Sequence, residues 1–228
     1  MDFTNQNLAV LFEFGGTTIY LTQTLLATWI VMGVLIVFAI VVRIKLSKFK
    51  AIPTGFQNVV EIMVEAMDHF TINTMGESYR HYGAFFFGMF AFIISANYSG
   101  MLGLRPPTAD LATTGSLAIT IFLITHATGI KRMKLGYLKG FVQPNVIFLP
   151  INLIGEVSNL LSLCFRLFGN MLGGVIILGL AYQMFPFLLG FVLPSVLHAY
   201  FDVFAGMLQA FIFTVLSMTF IVQKGSKK

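Results

Sequence analysis

The residue best placed to do chemistry in this sequence is an arginine inside an apolar segment. Arg166 lies in a run from about Val146 to Met184, in which Glu156 is the only other charged residue. Placing a guanidinium in the hydrocarbon of a bilayer costs at least ~2.5–3.5 kcal/mol. Arginine cannot avoid that cost by losing its proton, because its pKa lies above about 12. A fixed positive charge at this depth therefore needs either a partner or a function.

Two acidic residues lie on either side of this arginine. Glu156 precedes Arg166 by ten residues, which is ~15 Å along a helix. Asp202 lies on the apolar segment that returns, with Gln209 seven residues later on the same helical face. Asn170 follows Arg166 by one helical turn and shares its face. Two half-channels for an ion require an acid on each side of a fixed cation, since the cation blocks direct passage between them.

A second interpretation of the same residues is purely structural. Arg166 could form an internal ion pair with Asp202 or with Glu156 that only joins two helices. Against this, the two acids lie on opposite membrane sides of Arg166, which cannot pair well with both. His126 and His198 are further ionisable groups at membrane depth, where such groups are functional candidates, but neither indicates a clear role. Spacing alone leaves these alternatives open.

The composition identifies the kind of protein that holds these residues. The 228 residues are 57% hydrophobic and only 10% charged, whereas a soluble domain carries roughly 25% charged residues. We therefore expect an all-α polytopic membrane protein. The net charge of +5 comes from short basic clusters beside apolar segments, a placement that favours membrane orientation over nucleic-acid binding. The single cysteine, Cys164, excludes a disulfide framework within the chain.

The apolar runs predict about five transmembrane helices. Taken as one helix, the segment around Arg166 would be about 60 Å long, twice the ~30 Å hydrocarbon core. We therefore expect it to be strongly tilted, bent or broken, and to form a helical hairpin with the next segment. The chain is expected to be a single membrane domain with spanning helices at 18–42, 84–104 and 110–130, an amphipathic helix at 53–73, and hairpin arms at 143–184 and 187–223.

The basic residues predict the orientation of the chain. Clusters follow the first span at residues 43–50 and the third span at residues 131–139, and another cluster lies at residues 224–228. Positively charged loops face the cytoplasm. We therefore expect the N-terminus to lie outside and the C-terminus to lie in the cytoplasm.

No residue pattern indicates an enzyme or a metal centre. Glu61, Glu65 and Asp68 form an acidic stripe on the amphipathic helix, but His69 is the only nearby nitrogen ligand. A surface helix that packs against its own chain or a partner explains this stripe better. The sequence has no phosphate-binding loop and no nucleophile constellation. We expect no catalytic residue, no metal and no cofactor.

Several segments resemble one known family. The stretch at residues 150–156, followed by the arginine motif at residues 162–171, closely resembles subunit a of F-type ATP synthases. Residues 107–111 and 208–213 resemble the same family, and the resemblance extends over about 18–223 in the family's order. It implies a non-catalytic, ion-translocating subunit in a bacterial plasma membrane or an organelle inner membrane.

The resemblance also implies roles for single residues and a set of partners. Arg166 would be the family's essential arginine, facing the carboxylates of a rotating ring of c subunits. The partners would be that ring, the b-subunit peripheral stalk and the rest of the ATP synthase, but no nucleic acid. By the same resemblance Asp202, Gln209, Asn170 and Asp110 belong to an outer half-channel, and Glu156, Asn159 and Ser162 belong to a cytoplasmic one.

The sequence departs from the family pattern at three places. Val175 occupies a position that is ionisable in many members, and Asp202 stands where histidine or glutamate is common. Asn159 and the two leucines after it replace a common proline. The outer half-channel thus relies on one acid rather than a pair. The transported ion, a proton or a sodium ion, is left open.

Two other classes of function compete with this interpretation. An independent secondary transporter with a midplane binding site would show internal inverted repeats and paired broken helices, whereas the sequence predicts one helical hairpin and no repeat. An assembly or scaffold protein would leave Arg166 and the two opposed acids without a purpose. We therefore expect this chain to be an ion-translocating subunit rather than a transporter or a scaffold.

Overall fold

The structure is a computed structural model that describes residues 7–14, 17–46, 53–142, 145–184 and 189–225. Five helical segments are long and apolar enough to cross a membrane. The prediction of an all-α polytopic membrane protein is confirmed. The α-helices are α1 (Gln23–Leu46), α2 (Phe56–Met75), α3 (Gly83–Tyr98), α4 (Leu111–Met133), α5 (Leu135–Val142), α6 (Leu149–Met184), α7 (Leu189–His198) and α8 (Gly206–Gly225).

The first spanning helix begins later than its sequence predicts. Residues 18–22 were expected to be helical, but they belong to a β-hairpin of β1 (Asn7–Phe14) and β2 (Thr17–Thr22). Threonine, isoleucine and tyrosine in β2 are residues that favour strands. The hydroxyl of Thr22 then accepts a hydrogen bond from the backbone N–H of Leu25 at 3.3 Å, which caps the start of α1. The helix continues to Leu46, beyond the predicted end at residue 42. Arg43 and Lys45 lie in its last turn, and such long side chains can extend their charged ends to the membrane interface while their backbone stays helical.

Helix α8 lies at the centre of the fold. It packs against α2, α3, α4 and α6, and α6 also packs against α4. Phe86, Ile93, Phe213, Met218 and Ile221 are large side chains that these contacts bury completely. Helix α1 packs mainly against α3 and exposes most of its apolar side chains, which suits a surface in contact with lipid.

The long helix α6 is continuous over 36 residues, a length of about 54 Å. Its two glycines at positions 173 and 174 permit a bend, but the helix does not break there. Gly174 instead allows close packing, since a Cβ at this position would lie 3.2 Å from Cβ of Phe201. The first hairpin arm, expected from residue 143, begins as a helix at Leu149, and residues 143–144 lie outside the described residues.

The second arm of the helical hairpin is not a single regular helix. Helix α7 contains Pro194 and is followed by a π-helical segment, Ala199–Ala205, which leads directly into α8. The arm was expected to span residues 187–223, of which 187–188 lie outside the described residues. Segments of π-helix are rare and are often found at functional sites. This one contains Asp202.

Candidate functional site

Arg166 is part of a polar stripe along one face of α6. Asn159, Ser162, Arg166 and Asn170 follow one another at spacings of three and four residues, which places them on one side of a helix. All four side chains are exposed, whereas Leu167 is buried against the rest of the fold. Within the described part of the chain, Arg166 makes no ion pair. The stripe therefore faces away from the chain's own core.

The structure does not support an internal ion pair of Arg166. Asp202 is paired with His198, whose Nδ1 lies 2.5 Å from Oδ2 of the carboxylate. Glu156 is paired with Lys224, whose Nζ donates to Oε1 of the carboxylate. Each acid thus has a basic partner of its own. Arg166 forms no ion pair with either acid among the described residues.

A three-residue line of polar side chains crosses the helical hairpin near the end of α6. The hydroxyl of Tyr182 lies 3.0 Å from Nε2 of His198, and His198 reaches Asp202 through its other ring nitrogen. Gly100 lies on the far side of the carboxylate, where an added Cβ would be 3.1 Å from Oδ2 of Asp202. The π-helical segment and this glycine hold the acid in the protein interior, where it is 3% exposed.

Gln209 lies deeper in α8 and is also buried. Among the described residues, its Nε2 has no hydrogen-bond partner. Nearby on the same bundle, Asn97 donates to the carbonyl of Gly206 at 2.8 Å and accepts from the hydroxyl of Thr108 at 2.6 Å. A buried donor without a partner costs about 1–3 kcal/mol. Gln209 is therefore the member of this polar group whose amide N–H groups are left without a protein partner among the described residues.

The Glu156–Lys224 ion pair lines a cleft at the other end of the hairpin. The cleft has an empty volume of about 370 Å³ and also contains Thr125, His126, Asn159 and Gln223. The structure thus brings His126 to the glutamate, and its Nδ1 lies 3.1 Å from the carbonyl of Phe122. Burial, and secondarily the charge of Glu156, raises the pKa of the Tyr137 phenol to about 12.

Asp110 has its own set of contacts, which it does not share with Asp202 or Glu156. Its Oδ1 accepts a hydrogen bond from the N–H of Ala112 at 3.0 Å and so caps the N-terminus of α4. Its Oδ2 accepts from the hydroxyl of Thr24 on α1 at 2.7 Å. The carboxylate therefore joins α1 to α4, and it borders a wide cleft of about 1080 Å³ between them.

Comparison with known sequences identifies the family. A sequence profile described as ATP synthase A chain matches residues 25–222. The chain belongs to the ATP synthase subunit a family. ATP synthase subunit a 1 of Pelobacter propionicus is 37% identical over 199 residues, which cover 85% of this chain and 83% of that protein. ATP synthase subunit a of Moorella thermoacetica is 36% identical over 213 residues, covering 92% and 93%.

In this member of the subunit a family, the structure shows contacts of the candidate acids that the sequence did not predict. The sequence alone indicates no clear role for His198. Its spacing of four residues from Asp202 is nevertheless the signal that identifies the pair. Tyr182 and Lys224 reach their partners across 16 and 68 residues. No local pattern could have indicated those two contacts.

The contacts of Asp110 allow a structural role to be separated from an ionisable one. We expect Asp110→Ala to lower the unfolding free energy by about 1–2 kcal/mol, because it removes a helix cap and a hydrogen bond between helices. Asp110→Asn keeps an acceptor for the N–H of Ala112, and its amide N–H can donate to the hydroxyl of Thr24, so it is the matched control. Thermal unfolding in detergent measures the first effect. An alanine variant as stable as the parent protein would contradict the capping role.

Proposed function

We propose that this chain is the stator ion-channel subunit of an F-type ATP synthase. It provides two offset half-channels that carry protons, or sodium ions, to and from a rotating ring of c subunits and so couples ion flow to ATP synthesis. The exposed Arg166, which makes no ion pair among the described residues, carries this proposal. A guanidinium within a membrane-length helix needs a compensating charge, and none of the described acids of this chain supplies it. A ring carboxylate in the partner would do so.

The residues on the two sides of Arg166 divide between two paths. Asp202, Gln209, Asn170 and Asp110 would belong to the outer half-channel, and Glu156, Asn159 and Ser162 to the cytoplasmic one. The division is supported by the separation of the buried Asp202 and the Glu156 cleft, which lie near opposite ends of the helical hairpin. In a bacterial plasma membrane, the basic clusters favour an N-terminus outside and a C-terminus in the cytoplasm.

Arg166 performs two tasks in this mechanism. Its positive charge favours the ionised form of a ring carboxylate that passes it, since attraction is strong where water is excluded. It also repels a cation that would otherwise pass from one half-channel to the other without turning the ring. An ion entering from outside therefore leaves to the cytoplasm only after the ring has carried it around. The chain itself catalyses no covalent chemistry.

The remaining partners follow from membership of the complex. The helical hairpin would lie tilted along the ring, and the peripheral stalk subunit b would hold this chain stationary. Helix α2 offers one surface outside the hairpin, with Glu65 next to His69 at 3.5 Å and Asp68 next to Arg80 at 3.9 Å. These pairs are partly exposed, which suits a surface helix that contacts lipid headgroups or another subunit.

Disulfide cross-linking tests whether the arginine stripe faces the ring. We expect Ser162→Cys to cross-link to a cysteine placed beside the ion-binding carboxylate of subunit c, because Ser162 is exposed on the same face as Arg166. Gly33→Cys on α1 is the matched control, since that position is also exposed and has room for a side chain. Equal cross-linking at both positions, or cross-linking at Gly33 only, would refute the proposed interface.

A further inference from the structure

We infer that Tyr182, His198 and Asp202 form a proton relay at the outer entrance, and that the outer half-channel therefore admits protons rather than sodium ions. This inference rests on the proposed function and names the ion for it. It assigns roles to Tyr182 and His198, which lie beyond the residues placed in the half-channels above. The geometry of the three side chains carries the inference.

Exposure falls steadily along the line. Tyr182 is 48% exposed, the His198 side chain is 25% exposed, and Asp202 is 3% exposed. The two contacts that join them measure 3.0 Å and 2.5 Å, both within hydrogen-bond range. The line therefore connects the protein surface to a buried carboxylate without a gap.

The backbone around the line fixes this arrangement. Asp202 lies in the π-helical segment, while His198 is the last residue of α7. Tyr182 comes from the opposite arm, close to the end of α6. The carboxylate lies close to Gly100, where a side chain would crowd it. The imidazole therefore lies between the buried acid and the exposed phenol, and it contacts both of them.

An imidazole in this position can pass a proton inward. In the starting state Nδ1–H donates to the ionised Asp202, and Nε2 accepts from the hydroxyl of Tyr182. The hydroxyl of Tyr182 passes its proton to Nε2 and takes another proton from outside water, and the Nδ1 proton moves to Oδ2 of Asp202. The imidazole is neutral before and after, and one proton has entered. Asp202 then releases its proton inward, and rotation of the imidazole with proton exchange to outside water restores the first tautomer.

A sodium ion could not use the same line. Hard cations are held by several oxygen ligands, whereas the middle member here is an imidazole with both nitrogens in contact with neighbours. The Oδ2 atom of Asp202 is occupied by that imidazole. Histidine is the side chain that exchanges protons most readily near neutral pH. The chemistry of the line thus matches a proton and does not match a metal cation.

The first test replaces the imidazole by a side chain that keeps hydrogen bonding but cannot relay. In the complete ATP synthase in vesicles, we expect His198→Gln to slow acid-driven ATP synthesis about 100-fold or more, because a positioned proton-transfer group contributes about 10²–10⁴-fold, at normal subunit abundance. His81→Gln, at an exposed position between α2 and α3, is the matched control and should synthesise at the parent rate. A parent rate in His198→Gln would overturn the relay.

Chemical rescue separates a relay from a packing role. Imidazole added to the outer side should restore part of the synthesis lost in a His198→Ala variant. The analogue 1-methylimidazole fills the same space but has one nitrogen blocked, so it should not restore synthesis. Equal rescue by both compounds would show that the histidine only fills space, and absence of rescue by imidazole would likewise count against the relay.

The ion itself is tested in the parent complex. We expect synthesis driven by an imposed proton gradient to be unchanged when sodium is removed and to stop when a protonophore is added. Synthesis that requires sodium and survives the protonophore would overturn the inference. An Arg166→Ala variant measured in parallel keeps the two proposals apart. Loss of coupling in that variant together with a parent rate in His198→Gln would reject the relay and leave the proposed function standing.

Discussion

Replacing Arg166 with alanine is expected to abolish ATP-driven ion pumping and to leave the protein in the membrane. The guanidinium is exposed and makes no ion pair within the described residues, so its removal strands no buried charge in this chain. Removing it also lowers the cost of membrane insertion by about 2.5–3.5 kcal/mol. Pumping is measured in inverted vesicles, and subunit abundance is measured in the same membranes.

A lysine variant at position 166 tests whether a positive charge alone is sufficient. Arg166→Lys keeps a positive charge, but an ammonium lacks the planar fork that binds a carboxylate through two hydrogen bonds, and it can lose its proton. We expect most pumping to be lost in this variant as well. Normal coupled pumping in the alanine variant would remove the basis for the whole assignment.

Replacing Asp202 with asparagine is expected to slow ATP synthesis strongly, about 100-fold or more, with little loss of protein. Asparagine still offers an oxygen to Nδ1 of His198, and it fills nearly the same space beside Gly100. It cannot accept and release a proton, which is the task proposed for the carboxylate. Abundance of the subunit and the rate of synthesis must be measured together, with Asp68→Asn on α2 as the control.

The two outcomes of this substitution separate two roles. If Asp202 were the structural partner of Arg166, its loss would strand a buried cation and cost about 3–5 kcal/mol, and the subunit would be degraded. The contact of Asp202 with His198 instead predicts stable protein with slow synthesis. Synthesis at the parent rate and normal abundance would reject both roles.

Apolar length and charge were enough to predict most of the fold. The long apolar runs predicted the membrane helices, because spanning a bilayer needs about 20 apolar residues whatever their packing. The β-hairpin before α1 was not predicted, since residues 18–22 contain isoleucine and leucine and carry no charge, so they continue the apolar run of the helix without a visible boundary. The π-helical segment was not predicted either. A single widened turn leaves the spacing of apolar residues almost unchanged, so the sequence pattern does not reveal it.

The candidate site was predictable where it depends on one helix. The stripe of Asn159, Ser162, Arg166 and Asn170 follows from helical spacing alone, and the structure shows all four exposed on α6. Which group neutralises which acid depends on contacts between helices. The pairing of Glu156 with Lys224 is such a contact, and sequence spacing carries no information about it. The roles of these residues in ion movement stay predictions.

The contact between Glu156 and Lys224 also has a consequence for the order of events during synthesis of the chain. The lysine is made 68 residues after the glutamate, a delay of roughly 3–14 s at ~5–20 residues per second. Throughout that interval α6 must enter the membrane with both of its charged side chains uncompensated. The arrival of α8 then neutralises the glutamate and leaves Arg166 as the charged side chain of α6 that has no ion pair among the described residues. In the proposed complex, this is the charge that a ring carboxylate would compensate.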